Sequence, residues 1–156
     1  MKFLKYWLPV ALWMVVIFFM STDFGSAEHS SRLIEPLVRW IKPDVTVDQL
    51  GVVHFIVRKL GHLSEYAVLA LLTLRAFTHT LRAPLNRCCW QTAGLTLLVI
   101  VPYAATDEWH QTLVPGRTPA VGDVMIDATG GLLALVVALS WSYFLPSRIR
   151  PQTQKA

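Results

Sequence analysis

The chain has 156 residues, room for one domain, and 54% of them are hydrophobic against 15% charged, which excludes an ordinary soluble globular protein. A net charge of +4 and a pI near 9.3 would suit nucleic acid, but the basic residues are scattered among short loops and report topology instead, so no nucleic-acid partner is expected. The solvent that fits this composition is a lipid bilayer.

Apolar residues come in four blocks, at about residues 4–20, 52–77, 88–106 and 121–145. Each has roughly the 17 to 25 residues that about 30 Å of hydrocarbon needs at 1.5 Å rise per residue. The sequence therefore predicts an all-α fold, a polytopic bundle of four transmembrane helices forming a single membrane domain over 1–156. The first block has an alternative reading as a cleaved signal peptide, because Lys2 and Lys5 precede it and Gly25-Ser26-Ala27 offers small residues for cleavage. Its bulky run from Trp13 to Met20 is long for a signal core and favours a retained anchor.

The segment from Ser21 to Gly51 is the longest connection. Within it Leu33, Ile34, Leu37, Val38 and Ile41 recur at helical spacing, with Arg32, Glu35, Arg39 and Lys42 on the other side. This predicts an amphipathic helix on the outer interface, or simply a cap on the bundle, with Trp40 at headgroup level. Pro36 should start that helix or kink it. Thr46 or Asp48 is placed to cap the second long helix, since either side-chain oxygen can accept from the free amides of its first turn.

That second block carries Arg58, Lys59, His62, Glu65 and Tyr66 inside an apolar run. Lys59, His62 and Tyr66 are three and four apart and share one face, with Glu65 one step around. A charge in hydrocarbon costs about 2.5 kcal/mol or more, so these groups should face a protein interior or water. Pro84 and Asn86 break the chain before the third block, whose adjacent Cys88 and Cys89 read as small apolar residues at a helix start, not as a disulfide. The third block ends on Asp107, Glu108 and Gln111; Pro115-Gly116-Arg117 then forms a turn able to fold Arg117 over the carboxylates. The fourth opens with Asp123 and Asp127, four apart on one face, and continues through Gly130-Gly131, where a neighbouring helix can approach closely.

Charge sorting orients the bundle. With the N-terminus inside, the inner segments hold Lys2, Lys5, Arg75, Arg82, Arg87, Arg148, Arg150 and Lys155 and no acid. All of Asp23, Glu28, Glu35, Asp44, Asp48, Glu65, Asp107, Glu108, Asp123 and Asp127 fall outward. Both termini are thus expected in the cytoplasm. Counted from the block centres, Lys59, His62, Asp107 and Asp127 then lie at one depth, about six to eight residues outward.

The run Lys59-Leu60-Gly61-His62-Leu63-Ser64-Glu65-Tyr66, then Asp107-Glu108-Trp109-His110-Gln111 with Pro115-Gly116-Arg117, then Asp123 through Asp127 and Gly130, resembles the VanZ-like family in residue order and spacing. The resemblance covers the last three helices, a core of about residues 52–145, and Asp127 stands where the family pattern often has Asn. That family is named for a protein linked to teicoplanin resistance and its biochemical activity is unsettled. The resemblance therefore implies an integral membrane protein of the cell envelope, in the bacterial inner membrane, with a possible link to antibiotic resistance, rather than a reaction.

The polar residues admit three readings. In the first they form a structural network, Lys59 and Arg117 neutralising the carboxylates and holding three helices in register. In the second the chain is an enzyme acting on a lipid-linked phosphate or peptidoglycan precursor. There Lys59 and Arg117 bind phosphate, His62 moves protons, and Asp107, Glu108 or Asp127 serves as base or metal ligand. His110 and Asp123 extend the possible ligand set, although no metal signature is present and any cofactor is left open. Covalent catalysis through Ser64 or Thr106 is the weakest variant. In the third, the pocket binds an anionic lipid headgroup, a glycopeptide or an ion, with Lys59, Tyr66, Gln111, Arg117, Asp123 and Asp127 as contacts, while Asp107, Glu108 and His62 are the candidate catalytic residues should the chain be an enzyme. Membrane lipids are the expected partners, and transport would require an oligomer. The binding reading is preferred here.

Overall fold

The computed structural model describes residues 2–22, 27–81, 89–114 and 120–144. Among the described residues there are five helices and no strand: α1 (Lys2–Met20), α2 (Ala27–Ile41), α3 (Val47–Thr80), α4 (Cys89–Gln111) and α5 (Val121–Phe144). The four long ones match the four apolar blocks, but α3 and α4 outrun their blocks. Apolar sequence marks where a helix can meet hydrocarbon, whereas the helix itself continues while its backbone bonds do. At 34 residues, α3 is about 51 Å long, well beyond the ~30 Å of a hydrocarbon core.

The start of α3 is fixed by Thr46, whose hydroxyl accepts from the Gln49 amide while the Gln49 side chain accepts from the Thr46 amide. This reciprocal box satisfies two otherwise free donors. Asp48, the other candidate, lies inside the first turn. Of the two expectations for Pro36, a helix start is not what the structure has: α2 runs through it from Ala27 to Ile41. Its ring is on the exposed side, where the carbonyl that loses its amide partner can be solvated.

Side-chain contacts set alternating helix directions. The N-terminal end of α1 meets the C-terminal end of α3, where the Trp7 indole donates to Thr80 (2.9 Å) and Tyr6 stacks on His79 with centroids 4.0 Å apart. Farther along, the Trp13 indole donates to the Glu65 carbonyl (2.9 Å), and the Tyr103 hydroxyl of α4 donates to the Met14 carbonyl (2.6 Å). α1 buries Val10 and Ile17 in the same core as Tyr66, Leu69, Ala70, Ile100, Ala104, Leu135 and Leu139.

The most extensive pairing is α3 with α5. It depends on Gly130: a Cβ there would fall 2.2 Å from the Leu63 carbonyl oxygen, so only glycine lets the two backbones meet. Gly131 is packed against the Ile100 side chain in a looser way.

Outward-facing residues are largely apolar, including Phe3, Leu4, Leu12, Leu71, Leu98, Val137 and Trp141. An exterior of this kind suits lipid rather than water. Among the described residues two helices are long and apolar enough to cross a membrane, α1 over Phe3–Met20 and α5 over Val121–Ser142. Composition alone therefore supports two of the four expected spans; α3 and α4 are interrupted by the polar residues described next. α2 lies beside α3 with Ile34 and Val38 half-buried, while Leu33, Leu37, Trp40 and Ile41 form an exposed apolar stripe.

Candidate functional site

Four helix ends converge: the end of α1, the N-terminal half of α3, the end of α4 and the start of α5. The buried face of α3 reads Leu50, then His62 and Tyr66, then Leu69, Ala70, Thr73 and Ala76, so its ionisable residues precede a largely apolar run. That of α5 reads Asp123 and Asp127, then Gly130, Gly131, Leu135 and Leu139, polar first again. In α4 the order is reversed, from Ala93, Thr96, Ile100 and Ala104 to Asp107, Glu108 and Gln111. Because α4 runs opposite to its two neighbours, the three polar stretches meet at one end.

Four carboxylates are buried there: Asp107 (4% exposed), Glu108 (6%), Asp123 (1%) and Asp127 (0%). Asp123 forms an ion pair with Lys59 through Oδ1, and Arg58 stands 3.9 Å from its Oδ2. Asp127 Oδ1 is 3.1 Å from His62 Nδ1. Asp107 accepts from the Ser21 hydroxyl (2.5 Å) and from the Gln111 amide (3.2 Å), one bond to each oxygen. Glu108 accepts from the Ala120 backbone amide (3.0 Å). Gln111 Oε1 in turn faces Arg58 at 3.4 Å.

This network is incomplete. Glu108 Oε1, Asp123 Oδ2 and Asp127 Oδ2 are buried without a hydrogen-bond partner, as is the hydroxyl of the fully buried Tyr66, one turn from His62. Buried polar atoms without a protein partner are uncommon in folded proteins, and each calls for an explanation such as a water, an ion or a ligand. Ligand atoms of His62, Asp107 and Asp127 lie within 4.8 Å of one another, and so do those of His62, Glu108 and Asp123. The site therefore has two overlapping three-residue sets able to hold a cation, sharing the imidazole.

Of the residues singled out from sequence, Lys59, His62, Asp107, Glu108, Gln111, Asp123 and Asp127 come together, with Tyr66 one turn deeper. Arg117 lies outside the described residues, as does the Pro115-Gly116 turn. His110 belongs to neither cation set and instead packs on Phe18 at 4.3 Å. Ser64 and Thr106 are poor nucleophiles here, each exposed and donating to a carbonyl of its own helix, Gly61 and Tyr103. Three contributors went unassigned from sequence. Ser21 reaches Asp107 across 86 positions of chain, and a serine closing an apolar run was its one visible signal. Arg58 is next to a residue that was chosen, and the Ala120 amide has no side-chain signature at all.

With this geometry in view, the comparison with known families decides the membership. The VanZ/LLP1 family profile matches residues 6–144. The chain belongs to that family. The match begins inside α1, so the family segment is wider than the three-helix core that carries the resemblance, and the helix supplying Ser21 is part of it. No curated protein and no solved structure matches this family member.

Proposed function

We propose that this VanZ/LLP1 member is a four-span protein of the bacterial inner membrane, with α1, α3, α4 and α5 crossing and both termini cytoplasmic. Its polar centre engages an anionic lipid-linked or glycopeptide-related ligand from the outer face. The carrying observation is the layering of charge: Arg58 and Lys59, with side chains 23% and 21% exposed, rim a floor of carboxylates exposed by 6% or less. An anionic headgroup arriving from outside meets the cations first, and the carboxylates behind them keep the rim from collapsing into the core. The exposed stripe Leu33, Leu37, Trp40 and Ile41 on α2 fits a helix resting in the interface beside that mouth. A link to glycopeptide resistance rests on family membership alone.

A second reading, a hydrolase or transferase acting on a lipid-linked phosphate, is favoured by the buried His62–Asp127 pair, since a carboxylate that orients an imidazole prepares it to move protons.

The full chain purified in detergent with native lipids tests both. Mass spectrometry should find a phosphate-bearing lipid retained intact by the wild type and lost from the Arg58→Gln/Lys59→Gln double variant. A lipid set indifferent to these residues would sink the binding reading, and release of a cleaved product would favour the enzyme. The orientation has its own check: a reporter fused after Ala156 should be active only in the cytoplasm, and periplasmic activity would overturn it.

A further inference from the structure

We infer that His62, Glu108 and Asp123 form a binding site for a first-row divalent cation, zinc or manganese, with Asp127, Lys59 and the Ala120 amide as its supports. This goes beyond the ligand reading above and stands without it. Asp123 uses Oδ1 on Lys59 and leaves Oδ2 without a hydrogen bond. Glu108 uses Oε2 on the Ala120 amide and leaves Oε1 without a partner. His62 uses Nδ1 on Asp127, which leaves the opposite ring nitrogen to ligate. Glu108 and Asp123 are thus each held by one oxygen and leave the other without a hydrogen bond, with the Arg58 guanidinium 3.9 Å from Asp123 Oδ2.

One nitrogen or oxygen atom of each of the three residues lies within 4.8 Å of those of the other two. Ligands about 2.0 to 2.1 Å from a tetrahedral ion are roughly 3.3 Å apart, so the set reaches bonding geometry by small rotamer changes. The outer contacts are the kind a metal site uses. A carboxylate on the far nitrogen of a ligating imidazole fixes its ring and tautomer, and hydrogen bonds on the far oxygens fix the carboxylates.

The competing set, His62 with Asp107 and Asp127, is less suited to hold the ion. Both Asp107 oxygens already accept, from Ser21 and Gln111, and Asp127 supports His62. Asp107 is therefore placed in the wall of the site. Among the described residues, four buried carboxylates face the cationic Arg58 and Lys59 and the His62 imidazole, and a divalent ion would add positive charge to a cluster where uncompensated buried charge is strongly unfavourable. One imidazole with two carboxylates is a mixed nitrogen and oxygen set, suited to zinc or manganese rather than to calcium or to thiolate-seeking metals. Three protein ligands leave coordination positions open to water or to a phosphate oxygen.

The test uses the full chain in detergent, stripped with a chelator and then titrated with Zn²⁺ or Mn²⁺ alone. Wild type should take up about one ion per chain and melt at higher temperature with the ion than with chelator, because the folded state alone presents the site. Electron paramagnetic resonance of the Mn²⁺ form should show nitrogen coupling that His62→Ala removes. Glu108→Gln and Asp123→Asn should each weaken binding by more than about tenfold, and Asp127→Asn by about 10- to 100-fold, the range for loss of an outer support. Asp107→Asn should bind almost as wild type does. Failure of the wild type to bind either ion stoichiometrically overturns the site whatever the variants do. Binding lost in Asp107→Asn but kept in Glu108→Gln overturns this ligand set. Metal bound without any retained lipid leaves the site standing and counts against the ligand reading alone.

Discussion

The seam between α3 and α5 has two halves that hold the same pair of helices by opposite means. On one side of Gly130 the contacts are charged, Lys59 with Asp123 and His62 with Asp127. On the other they are small or apolar, Gly131 near Ala70 and Ile100, then Leu135 and Leu139 in the core. The apolar half leaves one buried hydroxyl, that of Thr73, without a partner, while the charged half leaves several carboxylate oxygens so. Well-packed apolar residues often match or exceed a buried ion pair in stability. The charged half is therefore hard to explain as an adhesive, and the contrast itself points to a site.

The largest expected effect comes from the point where the halves meet. Gly130→Val places its Cβ against the Leu63 backbone, which cannot rotate away as a side chain can. It should separate the helices and destabilise by more than about 4 kcal/mol, the range reserved for severe overpacking. Gly61→Ala, at a helical glycine with nothing within 4 Å of the added Cβ, should instead be neutral or stabilise by about 0.5 to 1 kcal/mol through helix propensity. Thermal unfolding in detergent, followed by circular dichroism, compares them. Equal melting temperatures would remove the close approach as the element organising the seam.

Next comes the charged half. Lys59→Met leaves the buried Asp123 with only the more distant Arg58, and the loss should be about 2 to 3 kcal/mol, short of the full value for a buried pair because Arg58 remains and the Lys59 side chain is 21% exposed. The double replacement Lys59→Met/Asp123→Leu should recover most of that loss while abolishing metal and lipid retention. A double variant no more stable than the single one would show that the pair does serve as structure, and the two halves of the seam would then differ less than their chemistry suggests.

How far this contrast was legible in the sequence depends on the kind of contact. The helical class, the four long helices and the convergence of Lys59, His62, Asp107 and Asp127 follow from block length and from counting 1.5 Å per residue, because helix rise is fixed. The ends of α3 and α4 were set too short for a related reason: Asp107 and Glu108 look like the close of a helix when charge is taken to mean solvent, yet both face the bundle interior and α4 continues to Gln111. The capping residue of α3 could be narrowed to two and no further, since Thr46 and Asp48 offer the same chemistry. Ser21 and the Ala120 amide were beyond reach. Their roles arise where the chain folds back on itself, and backbone donors leave no trace in residue identity. Four crossings remain a reading of length, as polar residues that build the site make α3 and α4 less apolar than α1 and α5.

The smallest expected effect lies beyond both halves, at the N-terminus of α3. Thr46→Ala removes the hydroxyl that the Gln49 amide donates to and should cost about 1 kcal/mol. At about 51 Å, α3 cannot lie wholly within ~30 Å of hydrocarbon, and Thr46 stands twelve positions before Arg58 on the site's side of the helix. Fraying in that first turn should therefore speed amide hydrogen exchange over 47–50 and leave exchange around His62 unchanged. Metal uptake should also be unaffected. If exchange at His62 rises together with the first turn, the overhang and the site form one cooperative unit, and the boundary of the charged half has to be moved outward to include the cap.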